Sequence, residues 1–263
     1  RDLPFVDLEV VLHDKPADPW PEAGWICLPL NVPQPQFHLG RLGSIVDPER
    51  DVVRGSNRHL FALNGGLAIT DAQGCGVGLC PLDHPLVSLD VPGCWKYSKD
   101  FVPKRPYVFI NLFNNQWTTN FRLWNEGTWA SRVRLWAAKE YDAEATLATP
   151  SQEARFPLRA AYCDGPAGNL PDARRGLEVS RKGVLVTALG PDSSNEGTRL
   201  CIWEQAGRSS PCEIRLPAGL KIKSARAIDL RGQPQDESVA VGDDIIDIRL
   251  KAFAPTTVLL VRE

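Results

Sequence analysis

The side chains best suited to chemistry gather in one stretch, Asn111-Leu112-Phe113-Asn114-Asn115-Gln116-Trp117-Thr118-Thr119-Asn120-Phe121-Arg122-Leu123-Trp124-Asn125-Glu126-Gly127-Thr128-Trp129. Three tryptophans, five asparagines, one glutamine and one glutamate fall within these nineteen residues. A sugar ring needs such a mixture. Its C–H faces stack on flat aromatic rings, and its hydroxyls take paired bonds from planar amides and carboxylates. Asn115, Trp117, Asn120, Trp124 and Glu126 are therefore the candidate carbohydrate-binding residues. The same residues also suit a tryptophan-filled core in which asparagines satisfy buried backbone at a chain crossing. Both readings stay open at the level of sequence.

Elsewhere the chemistry is sparse. The four histidines, His13, His38, His59 and His84, are widely separated and form no His-x-His, His-x-Asp or His-Glu-x-x-His pattern, so no metal site is legible. Asp83-His84-Pro85 could set a histidine against a carboxylate, although a turn before proline is the commoner explanation. No Gly-x-Ser-x-Gly elbow occurs, and Gly74-Cys75-Gly76-Val77-Gly78 lacks the helix that a phosphate-cradling loop requires. It reads instead as a hairpin turn. Asp71, Asp83, Asp90 and Glu126 are the carboxylates that a glycosidase pair would draw on, but strand-end and turn acids are mostly structural. No catalytic residue is assigned.

The elements that must position these residues are strands. Phe5 to Leu12 alternates apolar and acidic side chains at period two, and Trp25 to Leu30 reads as a second strand. Further strands are expected at Leu60–Leu63, Leu67–Thr70, Gly76–Cys80, Leu86–Val91, Tyr107–Phe113, Phe121–Leu123 and Ser131–Ala137, and no helical period persists in this half. Between Leu147 and Arg175 the glycine, proline and aspartate density reads as a linker. Six strands follow, at Gly183–Leu189, Leu200–Glu204, Cys212–Leu216, Ala225–Leu230, Ile245–Leu250 and Thr256–Val261. The expected organisation is a β domain over 1–148, a linker over 149–177 and a smaller antiparallel sandwich over 178–263.

Composition agrees with an all-β chain. The 263 residues include 21 glycines and 22 prolines, favouring turns over long helices. A net charge of −2 supplies no positive field, which argues against nucleic acid and anionic membrane as partners. No run of eighteen apolar residues is present. Seven cysteines without a Cys-x-x-Cys pair read mainly as small buried hydrophobes, with one bridge such as Cys75–Cys80 or Cys201–Cys212 as the alternative. A reducing compartment is slightly favoured, and localisation is otherwise unknown. The chain starts at Arg1 and contains no methionine, so a longer protein with a segment ahead of Arg1 is expected.

The string Asn114-Asn115-Gln116-Trp117-Thr118-Thr119-Asn120-Phe121, followed by Glu126-Gly127, resembles the C-terminal β region of glycoside hydrolase family 38, the retaining α-mannosidases. Collinear likenesses are Pro21-Glu22-Ala23-Gly24-Trp25, Leu67 to Asp71 with Gly76-Val77, Asp83-His84-Pro85-Leu86 and Pro157-Leu158-Arg159-Ala160. Val184 to Pro191 and Arg199-Leu200-Cys201-Ile202-Trp203-Glu204-Gln205-Ala206-Gly207 continue the series. The resemblance implies a galactose-mutarotase-like β supersandwich followed by a smaller β-sandwich. It places the zinc ligands and the aspartate nucleophile in an N-terminal barrel outside this sequence, so no cofactor is expected in this chain. His13-Asp14 lacks the spacer of the family's His-x-Asp, and Ala252 to Thr257 departs from its usual close.

The resulting expectation is the non-catalytic β region of an α-mannosidase-like hydrolase. Its partners would be a mannoside-like glycan and its own N-terminal catalytic domain, with Trp117, Asn120 and Trp124 lining one wall of the cleft. The alternatives are a stand-alone carbohydrate-binding sandwich and an aldose epimerase. The epimerase would need a histidine and an acid converging on the sugar, with His59 or His84 as the histidine.

Overall fold

A computed structural model describes residues 3–94, 98–116, 122–162, 164–165, 168–169, 171–193 and 196–262. The chain divides into two compact units, Arg1–Phe156 and Pro157–Glu263. Both are built from antiparallel sheets, making the protein all-β apart from one short helical stretch.

Unit 1 contains β1 (Phe5–Lys15), β2 (Ala23–Pro29), β3 (Gln36–Arg41), β4 (Ser44–Val46), β5 (Phe61–Ala62), β6 (Leu67–Thr70), β7 (Gly76–Pro81), β8 (Leu86–Leu89), β9 (Tyr107–Asn114) and β10 (Gly127–Ala138). Six of them form a sheet in the order β1-β10-β7-β6-β3-β4, and four form a second in the order β2-β9-β8-β5. Leu39, Phe61, Leu67, Ile69, Leu79, Leu89 and Ile110 fill the core. Each such side chain contributes about 1.5 to 3 kcal/mol when fully buried. Among the described residues β1 is an edge of the larger sheet and pairs with β10, from Phe5 opposite Trp136 to Leu12 opposite Trp129 and, past an irregularity, Lys15 opposite Gly127.

Helical turns cover the outer side of this sheet, within the stretch that the sequence assigns partly to a linker. Wide π-type turns at Ala143–Ala148 run into α1 (Thr149–Arg155), started by Asp142, whose carboxylate accepts Glu144 N–H at 3.0 Å and Ala145 N–H at 2.7 Å. Proline at a helix start loses no hydrogen bond, because the first amides have no partner within the helix. Pro150 therefore begins α1 rather than breaking it. Ser151 Oγ accepts Gly66 N–H at 3.0 Å, and Arg155 donates to the carbonyls of Gly65 and Pro81. Trp136 donates its indole N–H to Thr146 O at 2.8 Å. Its ring lies flat over Gly78, where a Cβ would stand 2.1 Å from Nε1. Gly78 belongs to the glycine-rich hairpin, as the sequence suggests: Asp71 Oδ1 accepts the N–H groups of Gln73 and Cys75 between β6 and β7.

Unit 2 contains β11 (Glu178–Val179), β12 (Val184–Pro191), β13 (Thr198–Glu204), β14 (Ser210–Arg215), β15 (Ile222–Ile228), β16 (Val239–Val241), β17 (Ile245–Leu250) and β18 (Pro255–Arg262). They form two sheets of four, β11-β14-β17-β16 and β12-β13-β18-β15. Ile246, Ile248 and Leu250 point inward while Asp247 and Arg249 point out, the pattern read from the sequence.

The last motif of the sequence, Arg199 to Gly207, has a structural explanation. Glu204 is fully buried at the end of β13. Its Oε1 accepts Arg181 Nη2 at 2.8 Å and Ala206 N–H at 3.1 Å, and its Oε2 accepts Gly207 N–H at 2.8 Å and Phe253 N–H at 2.9 Å. Gly207, at φ +82°, takes the left-handed turn that brings its amide to this carboxylate. Arg199 is bound separately to Asp192 Oδ1, through Nε at 2.9 Å.

Among the described cysteines, Cys80, Cys94 and Cys212 are buried, Cys201 is half-buried, and Cys27 and Cys75 are exposed free thiols. The reading of the cysteines as buried hydrophobes therefore fails for Cys27 and Cys75. Cys163 lies outside the described residues.

Candidate functional site

The asparagine-rich stretch begins on β9. Opposite β2 the register slips by one residue, with Gly24 facing Phe113 and Trp25 facing Asn111, so Leu112 is the extra residue of a bulge. Bulges leave backbone groups unpaired. Asn111 spans this one, donating from Nδ2 to Gly24 O at 3.2 Å and Phe113 O at 3.1 Å, while its Oδ1 accepts Asn114 Nδ2 at 3.0 Å. The Phe113 ring crosses Gly24 so closely that a Cβ there would stand 2.4 Å from it.

Asn115 is 4% exposed and ties three chain segments together. Its Oδ1 accepts Glu22 N–H at 2.6 Å, and its Nδ2 donates to the carbonyls of Asp18 (3.2 Å), Trp20 (3.0 Å) and Leu123 (2.8 Å). Its own N–H donates to Glu22 O. The amide is thus taken up by backbone, as the chain-crossing alternative requires. This clasp fixes the bases of two exposed apolar side chains, Trp20 (76%) and Leu123 (54%), and Trp124 (41%) follows directly in the chain. Trp20 was not among the residues singled out from the sequence. Its signal was weak, a lone tryptophan between Pro19 and Pro21.

Glu126 lies beyond this ledge, exposed and paired with Arg122 at 2.7 Å. Trp117 and Asn120 lie outside the described residues, as does Phe121 of the expected Phe121–Leu123 strand; Arg122 and Leu123 are not in a strand. Behind the ledge, Lys15 pairs with Glu22 and lies 5.1 Å over the Phe113 ring, whose centroid is 5.5 Å from that of Trp129. Asn125 Nδ2 and Trp129 Nε1 are buried without hydrogen-bond partners. Two donors in this stretch thus remain unused.

The other candidate acids are engaged in structure. Asp83 takes Arg132 in a bidentate pair, Nε at 3.0 Å and Nη2 at 2.7 Å, and this arginine holds its carboxyl below the usual aspartate range. Asp90, at φ 65°, accepts Lys104 N–H and Arg105 Nε, and these bonds outweigh its burial to keep its pKa low.

The histidines are placed differently from expectation. His59 is buried and stacked on Phe101, with centroids 4.3 Å apart. His84 Nδ1 is buried with no hydrogen bond. The expectation that only these two could serve the larger domain is corrected by His38, which sits on β3 at the edge of a cavity. β3 escapes the sequence reading because Gly40 and flanking polar residues obscure the alternation of Phe37 and Leu39.

Burial pushes the pKa of His38 below its ordinary 6.5. The unfolded chain therefore binds this proton more readily, and unit 1 should lose stability as the pH falls below about 6.5. Above that value the histidine is neutral in both states and contributes no slope. Urea midpoints at about pH 7.5 and pH 5.5, compared with those of His38→Phe, test this. The variant should show a smaller pH dependence, and an unchanged dependence would assign the effect elsewhere, with His84 next in line because its pKa is lowered in the same way.

Among the described residues no group of three or more His, Cys, Asp or Glu side chains could hold a metal ion, so the residues in view do not fit a zinc centre.

Two all-β units in tandem, the first carrying an aromatic ledge, define a fold found inside larger solved proteins. The sequence matches no protein-family profile and no curated protein. In structure, the whole chain aligns with an α-mannosidase from Enterococcus faecalis V583 at TM-score 0.68 and 13% identity, covering 28% of that protein. It aligns equally with a protein in glycosyl hydrolase family 38 from Enterococcus faecalis, at TM-score 0.68 and 14% identity, covering 29% of it. The similarity at this identity is one of fold. The chain spans less than a third of the length of either structure.

Proposed function

We propose that the chain is the non-catalytic β region of a larger α-mannosidase-like glycoside hydrolase, packing against a catalytic domain and presenting a wall to its glycan. The observation that carries this reading is coverage. All of this chain, and only 28 to 29% of each neighbour, is aligned, so the greater part of each neighbour lies outside the match. The structural contacts of Asp71, Asp83 and Asp90, which cap a turn or pair with arginines, agree with this reading. The mutarotase-like description of unit 1 belongs to the same proposal, as does zinc in the catalytic domain. The exposed Trp124 and Trp20 form the surface assigned to the glycan or to the catalytic domain. Trp117 and Asn120 remain candidates by sequence alone.

The test is an assay on an aryl α-mannoside. The isolated chain should be inactive, while the longer protein should be active and inhibited by a chelator. Chelator-sensitive hydrolysis by the isolated chain would overturn the division of labour.

The exposed tryptophan ledge favours a second reading, a stand-alone carbohydrate-binding module. Glycan titration followed by tryptophan fluorescence separates the two. A binding module saturates with free sugar and loses about ten-fold in affinity in Trp124→Ala, as expected when a stacked ring worth about 1.4 kcal/mol is removed.

A further inference from the structure

Away from the ledge, unit 1 holds a cavity of about 290 Å³ between β3 and the turn that follows β4. His38 is one of its lining residues. The imidazole is stacked on Tyr141, with centroids 3.8 Å apart and 13° between planes, and its Nε2 meets Thr70 Oγ1 at 3.2 Å. These two contacts fix the ring, and among the described residues Nδ1 has no hydrogen-bond partner. A neutral imidazole offers one donor and one acceptor nitrogen, and the Thr70 hydroxyl can serve either tautomer. Nδ1 can therefore give or take a hydrogen bond, which suits a hydroxyl group better than an ion.

The rim is equally fixed. Asp47 Oδ1 accepts Glu49 N–H at 2.8 Å, and Asp47 Oδ2 accepts Arg50 Nε at 2.8 Å. Arg58 ties the same turn down through the carbonyls of Glu49 and Val52. Asp47 is thereby satisfied within the turn. Glu49 and Arg50, both exposed, belong to the cavity lining and carry a carboxylate acceptor and a guanidinium donor fork. Prolines 35, 48 and 103 supply rigid apolar walls of the kind on which sugar C–H groups pack.

The cavity is about the size of the smallest ligand sites, room for one sugar ring rather than a chain. A second, open depression of about 640 Å³ adjoins it and shares Glu49, Arg50 and Val102 as walls. A smaller, partly enclosed cavity continuing into a wider trough fits a ligand whose terminal unit is held while the rest runs outward. With one arginine facing Asp47 and Glu49, the inner cavity has no excess of positive charge to hold an anion.

We propose that this cavity binds the terminal hexose of an oligosaccharide, with His38, Glu49 and Arg50 as its hydrogen-bonding groups. The site extends the carbohydrate reading to a second place on the chain, but it stands on its own geometry and does not involve Trp124.

The test uses methyl α-D-mannopyranoside, methyl α-D-glucopyranoside and inorganic phosphate as probes. Only four histidines are present, so the His38 Hε1 resonance can be assigned by its loss in His38→Phe. A hexoside should shift it saturably in the wild-type chain. Calorimetric titration should show affinity reduced about ten-fold or more in Glu49→Gln/Arg50→Gln, both at exposed positions, and also in His38→Phe, with the fold of each variant checked by circular dichroism and thermal melting. Trp124→Ala should bind as wild type, which separates this site from the ledge. No saturable shift with either hexoside, saturation by phosphate alone, or undiminished binding in the Glu49→Gln/Arg50→Gln variant would overturn the proposal. Loss of mannosidase activity in the longer protein would not.

Discussion

Glu204→Gln should lower the stability of unit 2 by about 3 to 5 kcal/mol, the range for breaking a buried ion pair by removing one partner. The shape of the side chain is kept, so packing is not the cause. Arg181, whose side chain is 13% exposed, would lose its buried counter-charge. The new amide group would also turn a donor toward either the Arg181 and Ala206 donors or those of Gly207 and Phe253. Guanidinium chloride unfolding followed by circular dichroism measures this as a shift in midpoint at unchanged slope. The comparison is Glu196→Gln. That residue pairs with Arg226 across two half-exposed side chains, where solvent screening leaves little to lose. Equal effects from the two substitutions would mean that Glu204 is not the keystone described.

Asn115→Ala should cost unit 1 about 3 to 5 kcal/mol. The substitution strands one N–H and three carbonyls, each carrying a penalty of about 1 to 3 kcal/mol when buried and unpaired, and water at the exposed bases of Trp20 and Leu123 relieves part of it. Asn115→Asp should be worse, because it sets a carboxylate against three carbonyl oxygens. Thermal melts of both variants, paired with a glycan titration below the transition, check the assignment. Unchanged melting with weakened glycan binding would show that the amide faces a ligand and not the backbone.

Asn115 illustrates how far the sequence could be read. Its residue type announces a planar group with donors and an acceptor, but whether these meet sugar or backbone depends on where residues 18–22 cross, nearly a hundred positions earlier. Local pattern contains nothing about that. The strands of unit 2 were legible because Ile246, Ile248 and Leu250 alternate cleanly with charge on a half-buried sheet. The helical stretch over 143–155 was not, since Pro150 looks like a breaker unless one knows it begins a helix. The strands β3 and β4 were missed for a related reason: glycines at 40 and 43 interrupt a short hairpin whose buried side chains are only Phe37 and Leu39. With β3 went His38 and the cavity beneath it. Glu204 was noticed as part of a motif, yet its partners come from Arg181, Ala206, Gly207 and Phe253, a convergence that only the closed sandwich reveals.

The position of β1 at the rim of its sheet bears on how the chain behaves at high concentration. Among the described residues no strand pairs with the outer side of β1, and Val6, Val11 and Leu12 add exposed apolar surface. What discourages a second copy from stacking there is charge, from Asp7, Glu9 and Asp14, and the irregular pairing between Leu12 and Lys15 that bends the strand end. Arg134 keeps Asp7 ionised below the ordinary aspartate range, so this part of the guard persists into acid. Neutralising these carboxylates would remove the repulsion and leave a template for fibrillar growth.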